Sequence, residues 1–213
     1  MFKSRTGISV STQTSGRSDT STTQSIDAHI CSDALLLLLP DPVTCFADSS
    51  YEQLQTFVLE KDASIILLDW ITSGRMSRGE EWAFSSYYSL NEVWLQGVRV
   101  ARDALLLETS PLDALERGIE VRMRSYACYA TVILCGPRVQ RIISDVLARY
   151  DAISVFQQSS PMSLVWSASR VNSGCVIIRV AGQETETVKL WLKDTLNGAE
   201  SLIGSDAYSK AFI

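Results

Sequence analysis

The chain has 213 residues, of which 46% are hydrophobic and 20% charged, and its formal net charge is −5. This composition is typical of one globular domain with a sizeable core, and the acidic balance argues against a general nucleic-acid-binding protein, which would carry a basic face. The longest unbroken apolar run, residues 34–40, is too short to cross a membrane, and the N-terminus lacks the apolar stretch of a secretory signal, so we expect a cytoplasmic protein that does not bind membranes.

The first 25 residues form a Ser/Thr-rich segment that differs in composition from the rest of the chain. Two interpretations of this segment are open: a disordered tail, or Thr-rich edge strands that have lost their partners. Composition alone favours the tail. We therefore divide the chain into an N-terminal segment at residues 1–25 and a β-rich domain at residues 26–213.

From Ile26 onward, short apolar runs broken by turns predict a series of β-strands. The run at residues 34–39 is expected to be a strand buried on both faces that ends at Pro40, because proline cannot continue a ladder of hydrogen bonds. Gln96-Gly97 lies between two strand-like runs and is typical of a β-hairpin with a two-residue loop. Further strands are predicted over residues 54–59, 64–68, 92–95, 98–100, 104–107, 119–124 and 128–134.

Two helices are predicted in the C-terminal third. Gly136-Pro137 opens the first, because proline suits the first helical position and apolar residues recur at helical spacing from Val139 to Tyr150. The second spans roughly residues 188–195 and stops near Gly198. Strands are predicted at residues 153–156, 163–167 and 175–180, with a turn at residues 172–174.

These elements add up to a mainly β fold. We expect about a dozen short strands, stacked as in a β-helix or an irregular sandwich, with two α-helices in the C-terminal third. Strands and helices do not alternate along the chain, which argues against a parallel sheet of the Rossmann type.

The five cysteines are odd in number, and no two have a Cys-x-x-Cys spacing. We interpret them as reduced thiols packed as small hydrophobic residues in a cytosolic protein. A zinc site is not expected, because His29 is the only histidine and no cluster of ligands surrounds it in the sequence.

Polar residues concentrate in the segment at residues 69–82, directly after an apolar run. Asp69 ends that run, where a carboxylate is costly unless it is paired, and Arg75 and Arg78 are the near candidates for pairing. Gly74 and Gly79 permit tight turns of the backbone. The segment is either a polar site or conduit, or an ion-paired loop that caps a sheet. The residues alone favour the loop.

Common catalytic and phosphate-binding motifs are missing from the sequence. There is no Gly-x-Ser-x-Gly elbow, no Walker loop and no Gly-x-Gly-x-x-Gly. A catalytic triad could draw only on His29. Asp69 and Glu80 could in principle perform acid–base chemistry as a pair, but nothing in the sequence brings them together.

Several spaced motifs resemble the urease accessory protein UreD (UreH) family. The central ones are Leu68-Asp69-Trp70-Ile71-Thr72-Ser73-Gly74-Arg75, Arg78-Gly79-Glu80, Trp82-Ala83-Phe84 and Arg102-Asp103-Ala104-Leu105-Leu106-Leu107. Similar segments flank them, with Pro40-Asp41-Pro42 upstream and Tyr129-Ala130-Thr131 and Gly136-Pro137 downstream. The chain resembles a family member that lacks its first part, because family members usually carry further strands before the Thr-rich stretch.

The resemblance implies a function as well as a fold. It implies a non-enzymatic scaffold that binds urease subunits and the accessory proteins UreF and UreG, the latter a GTPase. It further implies that nickel passes transiently toward the urease active site through an internal polar passage, with no tightly bound cofactor. Two alternatives stay open: a generic β-rich interaction domain without a metal role, and a carboxylate-dependent hydrolase.

The resemblance also indicates candidate site residues. As carboxylates of a nickel passage we consider Asp69, Glu80, Glu81 and Asp103, and as their structural ion-pair partners Arg75, Arg78 and Arg102. The other signature residues are Trp70, Thr72, Ser73, Gly74, Gly79 and Trp82. We expect Asp69, which closes a strand, to hold the fold, and Glu80, which lies in a Gly-flanked segment, to line the passage.

Overall fold

A computed structural model of the chain describes residues 7–14, 21–109, 118–153, 163–171 and 174–212. The strands in this part of the chain are β1 (Gly7–Thr14), β2 (Ser21–Ile30), β3 (Leu35–Leu38), β4 (Val43–Thr44), β5 (Ser50–Leu59), β6 (Ser64–Thr72), β7 (Ser86–Leu95), β8 (Val98–Glu108), β9 (Cys128–Cys135), β10 (Leu164–Arg170) and β11 (Val176–Gly182). The α-helices are α1 (Ile119–Met123), α2 (Gln140–Asp151), α3 (Thr185–Thr195), α4 (Glu200–Ile203) and α5 (Ser205–Lys210).

The strands form two sheets. The first has the order β1-β2-β5-β7-β8, in which β2, β5 and β7 are parallel and the outer pairs β1–β2 and β7–β8 are antiparallel. The second has the order β10-β11-β9-β6-β3, with the short β4 also paired to β6. From β2 to β7 the chain alternates between the sheets, so that equivalent strands stack in parallel as in the coils of a β-helix. The predicted mainly β fold is therefore confirmed.

β6 is an inner strand of the second sheet and is buried along its whole length. Its alternate residues Ile66, Leu68 and Trp70 belong to the apolar cluster beneath the helices. The residues that alternate with them, including Ile65 and Leu67, pack against the first sheet in a second cluster. Cover on both faces explains the uninterrupted apolar run in the sequence.

The helices α2 and α3 cover the outer face of the second sheet, and both predicted helices are confirmed. A 3-10 turn at Pro137–Val139 leads into α2, with proline in the first turn as expected. Each helix buries one face: Ile142, Ile143, Val146 and Leu147 in α2, and Val188, Leu192 and Thr195 in α3. The short helices α4 and α5 were not predicted.

The β7–β8 hairpin confirms the turn predicted at Gln96-Gly97. Both residues have positive φ, 49° and 80°, which is the backbone of the tight two-residue turns that match the twist of the flanking strands. The prediction at residues 119–124 was wrong, because α1 lies there instead of a strand. Its turn is closed by hydrogen bonds from Arg122 N to Gly118 O and from Arg124 N to Glu120 O. Most of the predicted strand at 153–156 and of the turn at 172–174 falls outside the described residues.

The Ser/Thr-rich N-terminal segment contains strands where the chain is described. β1 pairs antiparallel with β2, and β1 is the outermost strand of the first sheet. β2 runs from Ser21 to Ile30, so the domain boundary proposed at residue 25 falls inside it. The outer position of β1 is consistent with the high β-propensity of threonine in its sequence.

Two cysteines are joined, which corrects the expectation of five reduced thiols. Cys135 at the end of β9 and Cys175 before β11 form a disulfide with Cα atoms 4.4 Å apart. Pairing of Val176 with Leu134 places the two side by side although they are 40 residues apart in sequence. Of the helices described, none combines the length and the apolar character needed to span a membrane.

Candidate functional site

Polar side chains point into the space between the two sheets at one level of the sandwich. They come from six strands: Gln53 and Gln55 of β5, Asp69 of β6, Ser89 and Asn91 of β7, Asp103 of β8, Thr131 of β9 and Arg179 of β11. We call this set the polar layer. All its members except Arg179 are buried. The same alternation that turns apolar residues inward elsewhere on these strands turns polar ones inward here.

Asp69 lies at the centre of the polar layer and is 8% exposed. Its Oδ1 accepts a hydrogen bond from Gln53 Nε2 at 3.0 Å, and its Oδ2 accepts from Ser89 Oγ at 2.5 Å and from Asn91 Nδ2 at 2.7 Å. The hydroxyl of Tyr87 approaches Oδ1 at 3.4 Å. All four donors are neutral, so the buried carboxylate is solvated by dipoles rather than by a cation.

Two acceptor atoms in the polar layer are buried and have no hydrogen-bond partner in the part of the chain that the structure describes. They are Asn91 Oδ1 and Gln55 Oε1, on neighbouring strands β7 and β5. Buried polar groups are normally satisfied by protein or by ordered water. These two unsatisfied oxygens and the carboxylate of Asp69 are a set of oxygen ligands suited to a water molecule or a hydrated cation.

The second carboxylate of the polar layer, Asp103, is 6% exposed and has a cationic partner. Arg179 donates from both Nε, at 3.1 Å, and its terminal nitrogen to Asp103 Oδ1. Thr131 Oγ1 donates to Oδ2 at 3.0 Å. Asp103 therefore has a cationic partner, whereas Asp69 has none among the described residues.

The polar layer reaches the protein surface at both ends. At one end the side chain of Arg179 is 37% exposed. At the other end Tyr51 donates to Gln24 Oε1 at 2.5 Å and to Gln53 Oε1 at 3.3 Å, and both Tyr51 and Gln24 are partly exposed. Burial, together with the charge of Asp69, raises the pKa of Tyr51 to about 12, so its phenol remains a donor at neutral pH.

Apolar clusters close the polar layer above and below. One cluster contains Phe57, Leu67 and Val93, and the other contains Ile71 and Leu107. The polar groups therefore form a band across the sandwich rather than a scattered set, and the low-dielectric walls concentrate the field of Asp69 within that band.

Glu80 lies outside the polar layer, in the loop between β6 and β7. Arg75 binds it in a bidentate ion pair, with Nε to Oε2 at 2.8 Å and the terminal nitrogen to Oε1 at 2.5 Å. The backbone N–H of Ala47 also donates to Oε2, and the guanidinium stacks 4.2 Å above the ring centre of Phe46. The hydrogen bond from Arg75 is the main reason why the pKa of Glu80 is lowered.

The surroundings of the candidate carboxylates differ from those expected. Asp69 is not paired with Arg75 or Arg78 within the described structure, and Asp103 pairs with Arg179 rather than with Arg102, so those expected pairings were wrong. Arg102 is exposed and lies 3.4 Å from Glu92. Glu81 and Arg78 are exposed as well. Asp69 and Glu80, the hypothetical hydrolase pair, share no hydrogen bond among the described residues.

The remaining signature residues build the loop and its attachment. Trp70 donates from Nε1 to Pro40 O at 2.8 Å, and Trp82 from Nε1 to Tyr126 O at 3.1 Å. Thr72 Oγ1 lies 2.9 Å from Thr44 Oγ1.

The two signature glycines differ in the space around them. Gly74 has a φ of 129°, and a Cβ there would lie 2.6 Å from Glu80 O. Gly79 has a φ of 73° in an open position. Ser73 Oγ is buried and has no hydrogen-bond partner within the described ranges.

A second group of chemically active side chains surrounds His29, which corrects the expectation that none would. Cys31 and Glu60 each offer a donor atom within 4.8 Å of the others and of the imidazole. The sequence hides this group because Glu60 follows β5 and reaches His29 only through the pairing of β2 with β5.

Residues 5–211 match the model of the family described as UreD urease accessory protein. The chain is 34% identical over 204 residues to "Urease accessory protein 4" of Cryptococcus neoformans, covering 89% of this chain and 62% of that protein. It is 32% identical over 211 residues to "Urease accessory protein D" of Arabidopsis thaliana (87% and 69%), and 35% identical over 189 residues to "Urease accessory protein UreD" of Sorangium cellulosum (88% and 57%). The chain thus spans between 57% and 69% of the length of these relatives.

Proposed function

Because the chain belongs to the UreD family of urease accessory proteins, we propose that it serves urease maturation as a scaffold without catalytic activity of its own. Its partners in this proposal are the urease subunits and the accessory proteins UreF and UreG. Its cargo is Ni²⁺, held transiently on the way to the urease active site. The family membership supports the urease role, and the polar layer supports the passage of an ion.

One observation carries the passage hypothesis: the carboxylate of Asp69 is buried, and among the described residues it receives hydrogen bonds only from neutral groups. A buried charge without a counterion attracts cations. Asp103 has weaker attraction because Arg179 already compensates it. The unsatisfied oxygens of Asn91 and Gln55 would add neutral ligands beside Asp69.

The donor set suits transfer better than storage. Ni²⁺ binds imidazole and thiolate more tightly than carboxylate, amide oxygen and water. Oxygen donors with one net charge bind the ion weakly and release it easily. We propose that Asp69 attracts the hydrated ion into the polar layer, that Gln53, Ser89 and Asn91 orient the carboxylate, and that Glu80 maintains the loop.

Complementation tests this proposal. The chain would be expressed in a host whose own UreD gene is deleted, and urease activity, urease nickel content and co-purification with urease and UreF would be measured. We expect the intact chain to restore activity. Asp69→Asn keeps the shape of the side chain but removes its charge, so it should preserve co-purification and lower urease nickel content about tenfold, the change that ~1.4 kcal/mol of lost attraction produces.

The matched control is Glu80→Gln, which removes a carboxylate charge outside the polar layer. It should leave the nickel content of co-purified urease unchanged, with at most a loss of chain stability from the broken Arg75 pair. Normal nickel content with Asp69→Asn would reject the passage. Failure of the intact chain to co-purify with urease would reject the scaffold.

A further inference from the structure

The outer face of the first sheet carries a cluster of three different ligand types at the end of β2 and β5. His29 is the penultimate residue of β2 and points outward, with its side chain 53% exposed. Cys31 follows β2 and is partly exposed, and the side chain of Glu60, the residue after β5, is 43% exposed. His29 is the only histidine in the chain.

The backbone brings these residues together. His29 and Cys31 flank the buried Ile30 at the end of β2, and the alternation of exposure along the chain places both on the outer face. The parallel register pairs Ile30 with Leu59, and the N–H of Glu60 donates to Ile30 O at 3.0 Å. Pairing thus continues to Glu60 and fixes its Cα beside the histidine and the cysteine.

The distances suit one metal ion. One donor atom from each residue lies within 4.8 Å of the other two, and His29 Nε2 is 3.5 Å from Glu60 Oε1. Bonds from a zinc-sized ion to nitrogen, sulfur and oxygen are about 2.0–2.3 Å, so two donors of one tetrahedral ion lie roughly 3.3–3.8 Å apart. The distance between His29 and Glu60 already has this value, and rotation about the side-chain bonds of these exposed or partly exposed residues closes the remaining difference of at most about 1.5 Å.

Ser32 orients the carboxylate in this cluster. Its backbone N–H and its hydroxyl donate to Glu60 Oε2 at 2.8 and 3.1 Å, which leaves Oε1 on the side of His29. These two hydrogen bonds hold Oε2 in place and direct Oε1 toward the imidazole. Hydrogen bonds that hold one oxygen of a ligating carboxylate are typical of supported metal sites.

We infer that His29, Cys31 and Glu60 form a surface site for a borderline divalent transition metal ion of the class of Ni²⁺, Co²⁺ and Zn²⁺. Imidazole, thiolate and carboxylate together select this class over Mg²⁺ and Ca²⁺, which require oxygen ligands. Three protein ligands at the surface leave a coordination position open to water or to a donor from another molecule. The site is separate from the polar layer, and the inference does not depend on the proposed function.

Metal binding to the purified full-length chain tests the inference, with Ni²⁺ and Co²⁺ as separate probes. We expect one ion per chain by calorimetry and a thiolate-to-metal charge-transfer absorption in the ultraviolet spectrum. Bound metal should also protect Cys31 from iodoacetamide, which peptide mass spectrometry detects. His29→Gln, Cys31→Ser and Glu60→Gln should each weaken binding at least about tenfold, and Cys31→Ser should abolish the absorption.

Asp27→Asn is the matched control, because it removes an exposed carboxylate from the same face of β2 without removing a ligand. It should change the affinity by less than about twofold, since an exposed neighbouring charge is screened by salt. Circular dichroism verifies that each variant folds, and His29→Gln decides the matter if Cys31→Ser does not. Absent binding, binding without thiolate absorption, or equal affinity in all variants would overturn the inference. None of these results depends on urease activity, so the complementation experiment can fail or succeed separately.

Discussion

Arg179 of β11 forms an ion pair with Asp103 of β8, and this pair joins the two sheets through the interior of the sandwich. The two residues are 76 positions apart in sequence. Asp103 is buried, whereas Arg179 is 37% exposed. The pair therefore closes one end of the polar layer, and Asp69 is the carboxylate of that layer without a cationic partner among the residues described.

Removing the arginine should destabilise the fold. Arg179→Ala leaves the buried carboxylate of Asp103 without its cation, and we expect a loss of about 2–3 kcal/mol in the free energy of unfolding, below the range for fully buried pairs because the arginine is partly exposed. Urea unfolding measures this loss. Arg102→Ala, at an exposed pair with Glu92, should cost less than about 1 kcal/mol. Equal losses in the two variants would show that the interior pair contributes no more to the free energy of unfolding than the pair of Arg102 with Glu92.

Gly74 should tolerate a side chain less well than Gly79. Gly74→Ala adds a Cβ 2.6 Å from Glu80 O at a φ of 129°, so the loop that carries the Arg75–Glu80 pair must shift. We expect a loss of at least about 2 kcal/mol, from backbone strain and the displaced contact together. Gly79→Ala has a φ of 73° and open space, so only the left-handed backbone costs energy, about 1 kcal/mol. Thermal unfolding compares the variants, and a larger loss at Gly79 would contradict the contact at Gly74.

Stability should fall as the solution becomes alkaline. Burial raises the pKa of Cys45 to about 11 and that of Cys128 to about 12, and burial with the nearby charge of Asp69 raises that of Tyr51 to about 12. The unfolded chain loses these protons at lower pH than the folded chain, so it binds fewer protons and the free energy of unfolding decreases with pH. The stabilisation is complete below the ordinary values of 9.0 and 10.0 and is lost as the pH approaches about 11–12.

Urea unfolding at a series of pH values measures this dependence. Tyr51→Phe should flatten part of the slope, because the phenol no longer titrates. A free energy of unfolding that stayed constant from about pH 9 to 11 would contradict the burial of these groups.

The sequence predicted most of the elements but not how the sheets come together. The apolar run within β6 predicted a strand covered on both faces, and β6 is buried throughout, whereas the similar run at β3 forms a partly buried strand at the sheet edge. The Gln96-Gly97 turn has a local signature. The strand predicted at residues 119–124 was wrong because three apolar residues in alternation also fit a short helix such as α1. The link from Cys135 to Cys175 depends on strand register, which spacing in the sequence does not specify.

The candidate site was predictable only in part for the same reason. Asp69 and Asp103 stood out as carboxylates next to apolar runs. Their partners Gln53 and Arg179 lie on other strands that the sequence does not show to be neighbours. A single polar residue in an alternating strand is normally predicted to face solvent, so neither partner was recognised. We expected an arginine beside Asp69 and an open passage beside Glu80, and the structure has the reverse. Arg75 binds Glu80 in the loop and does not contact Asp69 at the end of the strand. Glu80 has its cation, and Asp69 has none among the described residues.

The order in which the ribosome delivers Asp103 and Arg179 has a consequence for biosynthesis. At about 5–20 residues per second, the arginine emerges roughly 4–15 s after the aspartate. When Asp103 emerges, the strands before it are already synthesised, including β3 and β6, but β9 and β11, which complete the cover of the first sheet, are still to come. Part of an apolar sheet face and the carboxylate of Asp103 thus stay uncovered until Arg179 emerges, and general chaperones that shield nascent chains have several seconds in which to bind.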